Sequence, residues 1–120
     1  MKIITPKFHA ILDFLLVMIL LASPNVFLLS NGATTLCYVL AVIHFLLTIT
    51  TDFKGGIFKI VHLKLHGLIE LIVSIVLVIL AFTVFKGSLN DEMYFACLGL
   101  LILLIFMLTD YQKAPPIITR

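Results

Sequence analysis

The sequence predicts an all-α, polytopic membrane protein with four transmembrane helices, arranged as two parallel two-helix repeats with pseudo-twofold symmetry. Three observations predict it. Of 120 residues, 62% are hydrophobic and only 12% charged, whereas soluble domains carry about a quarter charged residues. The apolar residues gather into four runs, each close to the roughly 20 residues a helix needs to cross a bilayer. Polar residues recur at matched places in the two halves of the chain.

The first run starts at Phe8, behind a Pro6 that fits a first helical turn, and ends near Ser23-Pro24-Asn25, with residues 26–29 extending or capping it. Its outline is that of a signal peptide, with Lys2 and Lys7 ahead of an apolar stretch and small residues at Ala22-Ser23. However, Asp13 inside the stretch, Pro24 after the cleavage position and the recurrence of the pattern in the third helix argue for a mature span. Ser30-Asn31-Gly32-Ala33-Thr34 supplies turn formers and a Thr34 N-cap, and the second helix is expected from Leu36 to Thr51-Asp52.

Phe53-Lys54-Gly55-Gly56 interrupts the pattern. The third helix is expected to begin between Ile60 and Leu65 and to reach Phe85, where Lys86-Gly87-Ser88 stops it. Asn90-Asp91-Glu92 then places acids at the positive end of a helix dipole. The fourth helix follows, through Phe95 to Thr109, ending at Asp110-Tyr111. Residues 112–120, with Pro115-Pro116, are expected to form a disordered cytoplasmic tail.

The internal repeat is the most informative feature. Lys7-Phe8-His9-Ala10-Ile11-Leu12-Asp13 aligns without a gap on Lys64-Leu65-His66-Gly67-Leu68-Ile69-Glu70, a Lys-x-His-x-x-x-acid pattern. Thr51-Asp52-Phe53 and Thr109-Asp110-Tyr111 match at the ends of the second and fourth helices. Shared hydrophobicity does not produce such polar matches, so residues 1–58 and 59–111 read as duplicated units. Two spans per unit bring both copies in from the same side, which makes the repeats parallel. Lys2, Lys7, Lys54, Lys59, Lys64, Lys113 and Arg120 fall at the termini and the middle loop, against Lys86 alone in the other loops, so both termini are expected to be cytoplasmic.

A two-span unit repeated twice, with Ser23-Pro24 near the end of its first span, resembles the SPW-repeat family of small bacterial membrane proteins. Asn25 stands where that family has Trp, and the second copy carries Leu80-Ala81-Phe82 at the corresponding place. The resemblance implies a bacterial inner-membrane location and no particular activity.

Chemistry is expected where ionisable residues enter the spans, because such residues are costly unless they face the bundle interior, pair or reach water. His9 and Asp13 are four apart and share a helix face, as do His66 and Glu70. With Asp52 and Asp110 at the ends of the returning helices they form a six-residue cluster at the cytoplasmic rim. Imidazole and carboxylate suit a divalent metal such as zinc, iron or manganese. The same groups suit a proton relay, or hydrogen-bonded latches between helix ends in which the histidines engage Asp52, Asp110 or their own helix partners.

His44 has no counterpart in the repeat and shares a mid-membrane polar face with Thr48. Opposite the stripe His62, His66, Glu70 and Ser74 it raises a haem or quinone site between the second and third helices as a further reading. Gly67 with Ala10, and Gly99 with Ala41, are small residues at matched positions that suit close helix packing. Cys37 and Cys97 lie singly in apolar runs without metal-type spacing. A net charge of +2 with dispersed lysines gives no nucleic-acid footprint. Nucleophile, phosphate-loop and HExxH motifs are absent.

The leading expectation is therefore a small, non-enzymatic membrane module that binds a cation, proton or small ligand at the His/carboxylate cluster. A structural or partner-binding module and a membrane redox protein are its rivals. The bilayer is the expected surrounding, and a homo-oligomer is expected because four short helices enclose little volume.

Overall fold

The computed structural model describes residues 2–53 and 56–113. Four helices follow one another: α1 (Pro6–Val26), α2 (Asn31–Thr50), α3 (Leu63–Phe82) and α4 (Leu89–Leu108), with a short 3-10 turn at Tyr111–Lys113. Each of the four is long and apolar enough to cross a membrane. Their outward faces carry large apolar side chains such as Phe8, Met18, Ile43, Ile72 and Leu104, which only hydrocarbon solvates without penalty. The expected bundle of apolar helices is therefore present.

Local chemistry sets the helix ends. Thr5 caps α1, its hydroxyl accepting from the Phe8 amide, with Pro6 in the first turn. Pro24 lies inside α1, which ends two residues later. There Phe27 N–H donates to the Ser23 carbonyl and Leu29 N–H to Pro24, while Leu28 takes a left-handed φ of 52°. This closing pattern satisfies carbonyls that a membrane helix cannot leave bare.

Ser30, not Thr34, caps α2: its hydroxyl accepts from the Ala33 amide, so the helix starts at Asn31. The earlier start reflects the cap competing successfully against the weak helix propensities of Asn31 and Gly32. At the same end of the bundle, buried Asp91 in the first turn of α4 accepts from Ser30 N–H at 3.0 Å and joins the two returning helices. Gln112 and Lys113, read from sequence as part of a disordered tail, belong to the 3-10 turn. The remainder of that tail lies outside the described residues, as do Lys54 and Gly55 of the middle breaker.

α1 packs on α2, and α3 on α4. One apolar core spans all four helices, from Leu16 and Leu20 through Cys37 and Ala41 to Leu77, Phe95 and Ile102. Extended residues clip the helix ends together at the opposite pole from Asp91. Ile4 exchanges backbone bonds with the end of α4, Ile4 N–H to Leu108 O and Asp110 N–H to Ile4 O, both at 2.9 Å. Val61 does the same with the end of α2, donating to Thr50 O at 2.8 Å and accepting from Asp52 N–H at 2.7 Å. Each clip ties the entry of one helix to the exit of another, so four otherwise open termini are hydrogen-bonded at one level.

Gly99 brings α3 and α4 together. A Cβ there would stand 2.8 Å from the Ser74 carbonyl oxygen and 2.7 Å from a Val78 methyl. Gly99→Ala is expected to destabilise the bundle by about 1–3 kcal/mol through overpacking, measured as detergent-solubilised thermal unfolding. Gly32→Ala, which meets nothing within 4 Å, is expected to leave the midpoint unchanged or slightly higher.

Candidate metal centre

The i, i+4 spacing in α1 and α3 turns both His/acid pairs inward, a little more than one turn inside the clipped end of the bundle. His9 and His66 are fully buried, Asp13 and Glu70 nearly so. One ligand atom from each of these four residues lies within 4.8 Å of all the others.

The contacts form a closed ring. His9 Nε2 is 3.3 Å from Asp13 Oδ1 and 3.3 Å from Glu70 Oε2. His66 Nε2 is 3.3 Å from Asp13 Oδ2 and 3.4 Å from Glu70 Oε1. Each carboxylate therefore faces both imidazoles, one oxygen to each. His44, from α2, adds its Nε2 at 3.5 Å from Asp13 Oδ1.

The other ring nitrogen of each buried histidine is spoken for. His9 Nδ1 meets Thr109 Oγ1 at 2.8 Å, and His66 Nδ1 meets Thr51 Oγ1 at 2.7 Å. Both threonine hydroxyls already donate to the carbonyl four residues back, Thr109 to Ile105 and Thr51 to Leu47, each at 2.6 Å. A hydroxyl has one proton, so each threonine must accept from Nδ1–H. That assigns the tautomer: in the neutral rings Nε2 carries a lone pair aimed at the ring centre.

Among the described residues, the Nε2 atoms of His9, His66 and His44 have no hydrogen-bond partner, and neither do Asp13 Oδ2 and Glu70 Oε2. A charge-assisted N–H···O bond closes to about 2.7–2.9 Å; these pairs stand wider, at 3.3–3.4 Å. A tetrahedral cation with bonds of about 2.0–2.1 Å holds neighbouring ligands roughly 3.3–3.4 Å apart. The four imidazole–carboxylate distances match that spacing, drawn from both oxygens of each carboxylate, and one donor atom from each residue lies within 4.8 Å of the others. A divalent ion would also balance the two carboxylate charges, and Nδ1–H donation to a fixed acceptor is the usual support of a ligating imidazole.

Aromatic side chains close the ring toward the clipped end. Phe53, 3% exposed, lies with its ring centroid 6.1 Å from that of His66, and Tyr111 lies 6.0 Å from His9. Tyr111 occupies the space over Gly67, where a Cβ would come within 2.6 Å of its ring. Burial pushes the Tyr111 phenol up, and the Glu70 carboxylate adds to that shift, so it stays protonated across the physiological range.

Of the six residues expected to converge, four do so. Asp52 and Asp110 stand outside the ring: Asp110 Oδ2 lies 3.5 Å from Lys113 Nζ and its Oδ1 accepts from Gln112 N–H, and Asp52 lines a separate rim opening with Lys7, Lys59 and Lys113. Their neighbours Thr51 and Thr109 are the residues that engage the histidines. The sequence marks both Thr-Asp pairs at the helix ends, and it is the threonine of each pair that meets a histidine.

Thr48 is fully buried and donates to the His44 carbonyl of its own helix at 2.7 Å. His62 caps α3, its Nδ1 accepting from Lys64 N–H at 3.2 Å. The His44 and His66 rings are 5.9 Å apart, and a cavity of about 30 Å³ is lined in part by His44. Comparison of the chain with known protein families, with curated proteins and with solved structures finds no match.

Gly67→Ala is expected to displace Tyr111 and cost about 1–3 kcal/mol in unfolding stability. In a Tyr111→Ala background the same change is expected to cost nothing. A double-mutant cycle on thermal or denaturant unfolding reads the coupling.

Proposed function

We propose that this protein is a small membrane module that holds one divalent transition-metal cation, of the zinc, iron or manganese class, among His9, His66, Asp13 and Glu70. The observation that carries the reading is the pair of fully buried Nε2 atoms, each facing two carboxylates at 3.3–3.4 Å without a hydrogen bond. Their Nδ1 sides are fixed as donors by threonine. Mixed nitrogen and oxygen donors without thiolate select borderline and harder ions. Two buried carboxylates with no compensating charge would cost several kcal/mol each, which a bound dication removes.

The cation is resident rather than cargo. Aromatic side chains close one side of the centre and aliphatic ones line the other, while the lysines at the rim repel free cations. A latch is part of the same design: the Thr–His bonds tie α1 to the end of α4 and α3 to the end of α2, at about 0.6 kcal/mol each and up to roughly 1.7. They use Nδ1 and leave Nε2 for the ion.

The matched partners support an origin by duplication. His9 with Thr109 answers His66 with Thr51, and Ile4 with the end of α4 answers Val61 with the end of α2. Both halves then enter the bilayer from one side as parallel repeats related by a pseudo-twofold axis. Lys2, Lys7, Lys59, Lys64 and Lys113 flank the centre's end of the helices and Lys86 the other, so the centre sits near the cytoplasmic face, with the N-terminus and the end of α4 on that side.

Protein purified in mild detergent without chelators is expected to carry about one metal ion per chain by elemental analysis. His9→Gln and His66→Gln are expected to abolish retention, whereas Asp52→Asn and Asp110→Asn retain it. Thr51→Val and Thr109→Val are expected to weaken metal affinity about 10–100-fold, the usual effect of removing an outer partner of a ligating histidine. Metal-free wild-type protein that also fails to take up zinc or ferrous iron on titration would overturn the proposal.

A further inference from the structure

Lysines far apart in the chain meet at the clipped end of the bundle. Lys7 comes from the first turn of α1, Lys59 from the connection between α2 and α3, and Lys113 from the 3-10 turn after α4, and all three line one opening at the rim. Asp52 is the one acid among the described residues that line it. Lys113 also lies 3.5 Å from Asp110; among the described residues neither Lys7 nor Lys59 takes part in an ion pair. Ammonium groups drawn to one opening repel one another unless an anion lies among them.

The backbone holds Lys59 there under strain. It takes a left-handed φ of 51°, uncommon for a residue with a side chain. On either side the chain is pinned to the last turn of α2, Phe58 N–H donating to Ile49 O at 3.0 Å and Ile60 N–H to Thr50 O at 2.8 Å. The same strap exposes Ile57, Phe58 and Ile60, the last to 77%. Large apolar side chains therefore flank a cation just beyond the ends of four membrane-length helices, at the depth where hydrocarbon gives way to headgroups. A free anion would engage the ammonium groups and leave those apolar side chains bare. A phospholipid satisfies both, its phosphate among the lysines and its acyl chains against the strap. A zwitterionic headgroup would bring its own cation toward the three ammonium groups, so the charge favours an anionic lipid.

We propose that this opening seats the phosphate of an anionic phospholipid, with Lys7, Lys59 and Lys113 meeting its oxygens and Phe58 and Ile60 lying against its acyl chains. Lysine binds phosphate as a point charge, and the fold supplies one from each of three separate segments. The site lies outside the donor ring and needs no ion there.

The test uses the full chain in mild detergent, titrated with phosphatidylglycerol, phosphatidylcholine or inorganic phosphate, with bound lipid per chain read by native mass spectrometry. One phosphatidylglycerol per chain is expected to be held at least about tenfold more tightly than phosphatidylcholine, and inorganic phosphate at equal concentration is expected to leave it in place. Lys7→Gln, Lys59→Gln and Lys113→Gln are each expected to weaken phosphatidylglycerol about fivefold, the effect of one lysine near an anionic headgroup, and the triple variant about a hundredfold. Lys64→Gln, at the same end but outside the opening, and Lys86→Gln, at the other end, remove the same charge and are expected to leave the affinity unchanged. All five lysines are exposed, so these substitutions leave the fold in place. Phe58→Ser is expected to weaken both lipids alike.

Equal retention of the two lipids, or an affinity untouched by Phe58→Ser, would overturn the proposal. An equal loss in Lys64→Gln would overturn it in favour of a diffuse surface charge, and displacement by inorganic phosphate would overturn it in favour of a free-anion site. Metal content, measured on the same samples, is independent of each of these outcomes.

Discussion

The structure depends on keeping four ionisable side chains inside a bundle whose solvent is hydrocarbon. His9, Asp13, His66 and Glu70 cannot reach water, and no single helix can satisfy them. They are satisfied only when α1 and α3 face each other at one register, with the ends of α2 and α4 bringing Thr51 and Thr109 to the outer nitrogens. The apolar core leaves that register open, because lipid and protein interior are equally apolar and burial gives helices little reason to prefer one face over another. Polar geometry at one level of the bundle does the specifying. The backbone clips at Ile4 and Val61, the space over Gly67 and the close approach at Gly99 are arranged around it.

The two ends of the bundle are treated differently. At the clipped end the chain enters and leaves in extended segments that hydrogen-bond to neighbouring helix termini. At the other end, short connections close on themselves through the α1 terminus at Leu28 and the Asp91–Ser30 contact. Rigid backbone therefore surrounds the donor ring, as a centre with fixed ligand spacing requires. Five of the six described lysines lie at the same end, so charge, hydrogen bonding and the buried cluster coincide at one end of the molecule.

Much of this was legible in the sequence, and the reasons are local. Four apolar runs fix four helices. His-x-x-x-acid places two donors on one helix face whatever the fold, and its recurrence in the third helix marks α1 and α3 as the pair that matters. What the sequence left open concerns residues joined only by tertiary structure. Asp52 and Asp110 looked like partners because charge is conspicuous. The chain direction at the helix end decides between adjacent positions, and it turns Thr51 and Thr109 inward, where their i−4 hydrogen bonds also fix the proton on each imidazole. His44 carried no repeat counterpart and thus no hint that Asp13 would be its neighbour. The start of α2 turned on a cap, Ser30, four residues before the one the turn formers suggested.

The claim on which the account stands is that two imidazoles and two carboxylates surround one cation. X-ray absorption at the zinc edge of zinc-loaded, detergent-solubilised protein tests it most directly. A first shell of nitrogen and oxygen only, near 2.0–2.1 Å, is expected, with the outer-shell scattering of two histidine rings, and no bound zinc is expected in His9→Gln or His66→Gln. A shell containing sulfur from Cys37 or Cys97, or a spectrum of hydrated ion unchanged by those substitutions, would contradict it.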